Sequence, residues 1–209
     1  MERLVSKYND YSIMQADGDS LYDVSCFVVK ENYKHHIGNM PTEAMNTDVT
    51  AVYEEENKLY SHSTQIFIVR NNSGVIIGTI RVFHWNREIP LPIQKIYGIN
   101  PLLSIHSDAK YNYWHVGRFA VDSFSGVSTF SLFKQLMALA VRPIVSDENS
   151  YMIAEIDSKL LRVMNALDFV TEQLGKSVYY LESETVPICS SKKGVMGFYS
   201  KYGQLPRVG

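Results

Sequence analysis

An arginine stands in the middle of an apolar, strand-like run, Tyr113-Trp114-His115-Val116-Gly117-Arg118-Phe119-Ala120-Val121-Asp122. Burying an unpaired guanidinium is costly, so Arg118 is paired inside the protein, sits on an exposed strand face, or lines a site. A second arginine, Arg81, ends a shorter apolar run. The planar guanidinium grips a carboxylate through two parallel hydrogen bonds. Two such groups suit an acidic ligand, or an internal acid drawn from Asp48, Asp122 or the run Glu54-Glu55-Glu56. His115 shares the stretch with Arg118. Its imidazole changes charge near neutral pH, which fits proton transfer, but it can equally fill an aromatic strand face beside Trp114.

Composition narrows the classes. The chain has 209 residues, 45% hydrophobic and 20% charged, as ordinary globular proteins do. This length suffices for a sizeable core in a single domain, expected over 1–209 with a core of about 11–190 and a tail of 191–209. A net charge of −2 gives no sign of a nucleic-acid partner. No apolar run is long enough for a membrane span, and the N-terminus lacks an apolar signal core. Cys26 and Cys189 are too few for a disulfide framework or a zinc site. These features point to a cytoplasmic protein with no bound metal. Fourteen Tyr and nine Phe fit either an aromatic-lined pocket or an aromatic core.

Periodicity places the elements that must carry these groups. Residues 11–16 read as a strand, and Asp17 or Asp19 caps a helix of about 19–34 with Leu21, Val24, Phe27, Val28 and Glu31 at helical spacing. Residues 35–61, with Gly38 and Pro41, read as polar and irregular, and the triple glutamate as a solvated surface. Gln65–Arg70, the turn Asn71-Asn72-Ser73-Gly74 and Val75–Phe83 form a hairpin. Residues 84–112 read as loop with one helical turn. The arginine strand follows, then a loop containing Ser125 and Gly126, a helix of about 129–142, a strand at 151–156 and a helix from Asp157 to about Leu167. Val178–Leu181 and Val186–Cys189 close the pattern as strands, and 197–202 are ambiguous. The hairpin demands antiparallel pairing and the second half is β-α-β-α-β, which together predict a mixed α/β sheet flanked by helices.

Two motifs at this spacing resemble a known group. His62-Ser63 with Ile66-Phe67-Ile68-Val69, the turn, and Gly78-Thr79-Ile80-Arg81-Val82 resemble the hairpin of autoinducer-synthase-like acyltransferases. Gly117-Arg118-Phe119-Ala120-Val121-Asp122 is similar to the arginine strand of acyl-homoserine-lactone synthases and long-chain N-acyl amino acid synthases. Both groups are relatives of the GCN5-related N-acetyltransferases, and the matched region is about 20–190. The resemblance implies one α/β domain whose central strands splay apart, with the pantetheine arm of an acyl donor in the opening. It implies an acyl-carrier-protein or acyl-CoA thioester as co-substrate, no other cofactor, and an amine-bearing small molecule as acceptor.

Site residues follow from the same resemblance. Many autoinducer synthases carry a glutamate three residues before the strand arginine, where this chain has His115. His115 is then the expected base, with Glu54–Glu56 or a bound water as alternatives. Arg118 and Arg81 are expected to orient the acceptor, and Trp114, Phe119, Ala120 and Val121 to line the substrate. The loop with Ser125 and Gly126 leads into a helix N-terminus, an anion site in principle. It lacks the basic start and paired glycines of acetyl-CoA enzymes, and so fits the single phosphate of a carrier-protein pantetheine better. The usual superfamily acid is a tyrosine on a late helix. Asp157 to Leu167 has none, which leaves Tyr179, Tyr180 or no side chain at all. A small-acyl acetyl-CoA enzyme and a non-catalytic acyl-binding module remain as alternatives.

Overall fold

In the computed structural model, residues 2–36, 42–105, 108, 110–180 and 183–204 are described. The chain folds as two compact units, one taking in residues up to Arg81 together with Arg118–Met137, the other Val82–Gly117 with Ala138–Gln204. Gly38, Pro41 and Leu181 lie outside the described residues, as does the end of the expected tail.

The first unit is built on β1 (Arg3–Lys7), β2 (Tyr11–Ala16), β3 (Gln65–Asn71) and the opening of β4 (Ile76–His84). β1 pairs antiparallel with β2, and β2 with β3, Ile13 facing Val69. The hairpin forms as its turn residues predict. Gly74 takes φ +79°, and the Asn71 side chain accepts from the backbone N–H of Ser73 and Val75. Asp17 accepts from the Asp19 N–H and starts a short 3-10 turn, after which α1 runs Leu21–His36. Leu21, Val24 and Val28 of α1 bury against Ala16, Ile66 and Ile68 of the strands. A second layer joins Val29 and Tyr33 of α1 to Val49 and Val52 of α2 (Thr42–Leu59).

The second unit continues β4 and contains α3 (Pro92–Tyr97), α4 (Pro101–Ser104), most of β5 (Asn112–Val121) and the end of α5 (Thr129–Ser146). It also holds β6 (Ser150–Asp157), α6 (Ser158–Ala166), β7 (Glu172–Gln173), β8 (Val178–Tyr180), β9 (Ser183–Ser191) and α7 (Lys192–Tyr202). β5 pairs parallel with β6, and β6 antiparallel with β9, on which β7 and β8 also pair. Asp157 caps α6 through the Lys159 N–H, as its position predicts. The architecture is therefore the mixed α/β one expected. The β5–β6 ladder runs only from Asn112↔Ser150 to His115↔Ile153, while β6 continues through Asp157 paired to β9.

Several elements correct the sequence reading. The span expected to be irregular contains the 18-residue helix α2. Its seam is Met45, Val49, Val52, Glu56 and Leu59, a helical period hidden by a charged residue at one core position. The solvated surface expected for the glutamates holds for Glu54 alone, since Glu56 is only 2% exposed. β1 and β7 were not foreseen, residues 84–112 hold two short helices instead of one turn, and α5 runs through Pro143 to Ser146. The ambiguous end is α7, which packs on β9 and β6 and is capped by the Ser191 hydroxyl. No described helix is long and apolar enough to cross a membrane.

α7 approaches the chain closely at Gly194, whose carbonyl accepts from the Val170 N–H at 2.9 Å. A Cβ there would overlap the Val170 carbonyl and the Ser190 hydroxyl. Gly194→Ala is expected to cost about 1–3 kcal/mol. Urea unfolding checks this, with the exposed Lys193→Ala as a neutral control.

Candidate functional site

In the first unit, α2 delivers Glu56 to both arginines. Arg81 Nε lies 2.7 Å from Glu56 Oε2, and an Arg81 terminal nitrogen donates to Oε1 at 3.1 Å. Arg118 Nε donates to Glu56 Oε1 at 2.8 Å, and its Nη2 to Glu55 Oε2 at 2.9 Å. Two cations thus meet two anions, and the glutamate run among the candidate partners is the one the arginines take. Asp48 instead accepts from the Tyr33 hydroxyl, and Asp122 stands 3.8 Å from Lys34. Burial alone would raise the Glu56 carboxyl. The guanidiniums of Arg81 and Arg118 overcome it and hold the group at about 2.

Arg118 has φ +56°, unusual for a non-glycine residue and found here in mid-strand. Such a kink re-aims a side chain, and the ion pairs with Glu55 and Glu56 hold it in place. Around it, Phe119 meets Phe133 edge-on, Ala120 packs against the α1 core, and Val121 is buried. The Ser125 hydroxyl donates to the Asp122 carbonyl, and Gly126 takes φ +78°. The loop's own amides are engaged too: Phe124 N–H donates to the Asp122 side chain and Val127 N–H to Ser125 Oγ.

In the second unit, His115 and Glu155 meet where the parallel ladder ends. Ile153 lies opposite His115, so Glu155, two residues on, shares its face of the sheet. His115 Nε2 lies 2.9 Å from Glu155 Oε2, and the two side chains are 1% and 9% exposed. The other carboxylate oxygen, Oε1, is buried without a hydrogen-bond partner. The Phe83 ring packs on the imidazole at 5.3 Å. Trp114 points to the other face, edge-on to His84, with its Nε1 buried and unpartnered. Tyr179 is 73% exposed. Tyr97, at the end of α3, has a buried hydroxyl, and burial, then the Glu155 charge, push its phenol up to about 12. Among the described residues no group of three or more His, Cys, Asp or Glu could hold a metal ion.

Glu155 and Tyr97 escaped the sequence reading. For Glu155 the signal existed: a charge inside the apolar run Tyr151-Met152-Ile153-Ala154-Glu155-Ile156, of the kind that singled out Arg118. Tyr97 carried none.

No protein-family model matches the chain, and a search of curated proteins gives no significant match. Solved structures do match. The acyl-homoserine-lactone synthase LasI aligns over 100% of both chains with a TM-score of 0.60 and 11% identity. The N-acyl amino acid synthase FeeM, from uncultured soil microbes, aligns over 91% of this chain and 90% of its own, with TM-score 0.56 and 18% identity. The CoA-dependent acyl-homoserine lactone synthase BjaI covers 91% and 85%, with TM-score 0.58 and 15% identity. The chain has the fold of these acyl synthases. It is the fold that the two sequence motifs implied. At these identities the likeness speaks to the fold, and the chemistry rests on the residues described above.

Glu56 makes a pH-dependent contribution to stability with a definite sign. Its folded value of about 2 lies below the ordinary 4.5, so its stabilisation is present above pH 4.5 and is lost as the pH falls toward 2. The shift corresponds to on the order of 3 kcal/mol. Urea unfolding at pH values across that window should show a shallower acid loss for Glu56→Gln than for the parent.

Proposed function

We propose that the chain is an N-acyltransferase that moves an acyl group from an acyl-carrier-protein or CoA thioester to the amine of an amino acid or related small molecule. The observation that carries this reading is the buried His115–Glu155 pair with an unpartnered carboxylate oxygen, at the rung where the β5–β6 ladder ends. Beyond Ile153, β6 keeps its pairing with β9. Its other edge then offers backbone groups that the amides of a pantetheine arm can pair with.

The chemistry needs a proton acceptor. The amine nitrogen attacks the thioester carbonyl carbon, an N–C bond forms and the C–S bond breaks. Over the reaction an ammonium acceptor loses two protons, one going to solvent and one ending on the departing thiolate. As nitrogen bonds to the carbonyl carbon its two remaining protons become strongly acidic; one stays on the amide nitrogen, and Glu155 Oε1 is the acceptor at hand for the other. His115 holds the carboxylate through Oε2 and shares the charge change. A carboxylate from the neighbouring strand thereby takes the task for which many autoinducer synthases use a glutamate three residues before the strand arginine. Arg118 and Arg81 act by position, fixing the kinked β5 through Glu55 and Glu56. The Phe124, Ser125 and Val127 amides of this loop are spent on its own turn, which supports a carrier-borne pantetheine over a tightly cradled CoA diphosphate.

Purified protein with acyl-carrier-protein or acyl-CoA thioesters of graded chain length and an amino-acid mixture should release thiol, and mass spectrometry should find an N-acyl product. Glu155→Gln should lower kcat by about 10²–10⁴-fold without a matching fall in melting temperature. Absence of thiol release from every donor would favour a non-catalytic acyl-binding module.

A further inference from the structure

Among the described residues of the second unit, two side-chain oxygens are buried without a hydrogen-bond partner, Glu155 Oε1 and the Tyr97 hydroxyl. They belong to elements that pack together, α3 and β6. Burial first, and then the Glu155 charge, raise the Tyr97 phenol, so the two groups lie within electrostatic reach of each other. A tyrosine hydroxyl is a natural donor to a carboxylate, and one hydrogen bond between them would satisfy both. That bond is not made. Folded proteins rarely leave such groups unsatisfied, because each was stripped of water without replacement.

A ligand that satisfies both groups must donate to the carboxylate and also engage the phenol. A primary ammonium does this with hydrogens to spare, one directed to Oε1 and another to the phenol lone pair. A ligand hydroxyl can also donate to Oε1 and accept from the phenol, so hydrogen bonding alone does not choose between them and charge does. A carboxylate in a desolvated place favours a cation. Trp114 Nε1, a further unpartnered buried donor, faces the opposite side of β5 beside His84, and so does not belong to this group.

We propose that Glu155 Oε1 and the Tyr97 hydroxyl together bind the ammonium group of the acceptor, which makes the acceptor a primary amine taken up as a cation. This rests on the acyl-transfer reading for its purpose, yet it is tested by binding alone. The probes are the twenty amino acids and simple aliphatic amines, each paired with the analogue that carries a hydroxyl in place of the amine. Their affinities for the parent protein, Glu155→Gln and Tyr97→Phe are measured by ligand-detected NMR and calorimetry, with melting curves to establish folding. At least one amine should bind the parent about tenfold more tightly than its hydroxyl analogue, and lose about tenfold in Glu155→Gln. Tyr97→Phe should lose a smaller factor.

No amine binding, equal binding of amine and hydroxyl partners, or unchanged affinity in both folded variants would overturn the proposal. Equal binding is also the result expected if a lone water bridges the two oxygens. Thiol release separates the two ideas. Amine binding that depends on both residues, without turnover of any thioester, upholds the subsite and removes the acyltransferase. Turnover with an acceptor KM unchanged in Tyr97→Phe and Glu155→Gln upholds the enzyme and removes the subsite.

Discussion

Glu56 is a carboxylate with almost no access to water, held between the guanidiniums of Arg81 and Arg118. Glu56 belongs to α2 and its two partners to β4 and β5, so the ion cluster ties a helix to two strands. A buried charge is tolerated only with close partners, and removing one partner leaves the others exposed to the full desolvation cost. Here both oxygens of Glu56 are used and Glu55 supplies a second anion. The cluster is thus electrically balanced, which explains how an apolar strand can carry an arginine.

The same cluster has a consequence for β5. Arg118 sits at a positive φ that a non-glycine residue adopts only when its surroundings hold it there. Three residues earlier on the same strand, His115 meets Glu155 at the last rung of the parallel ladder. One strand therefore carries two distinct polar arrangements. The arginine end is closed, its charges matched by internal partners. At the histidine end a carboxylate oxygen and a tyrosine hydroxyl are buried without a hydrogen-bond partner. Closed ion clusters serve architecture, and unpartnered polar groups are where a ligand gains most. On this ground we propose the chemistry at Glu155 and assign the arginines a positioning role.

Local signals were strong where a single residue type forces the geometry. Asn71 and Gly74 make the hairpin turn, and Asp17 and Asp157 start helical segments as their side chains predict. The signals failed where partners come from far along the chain. Glu56 occupies a core position of α2, and its charge breaks the apolar period that marks a helix, so α2 looked irregular. The justification for that charge lies 25 residues away at Arg81 and 62 away at Arg118. β1 and β7 are likewise defined by strands they pair with, not by their own composition.

By itself the sequence determined the mixed α/β class, the tight hairpin, and the strand whose arginine and histidine mark the place where polar groups are buried. Those features depend on neighbours close in the chain, so they can be read from it. Tertiary structure decided which acid meets which base. It gave Glu56 to the two arginines and Glu155 to His115, and it set Tyr97, on a short helix with no motif of its own, within electrostatic reach of the same carboxylate. The physical reason is that a buried charge is defined by its partners, and strand pairing brings those partners from distant parts of the chain.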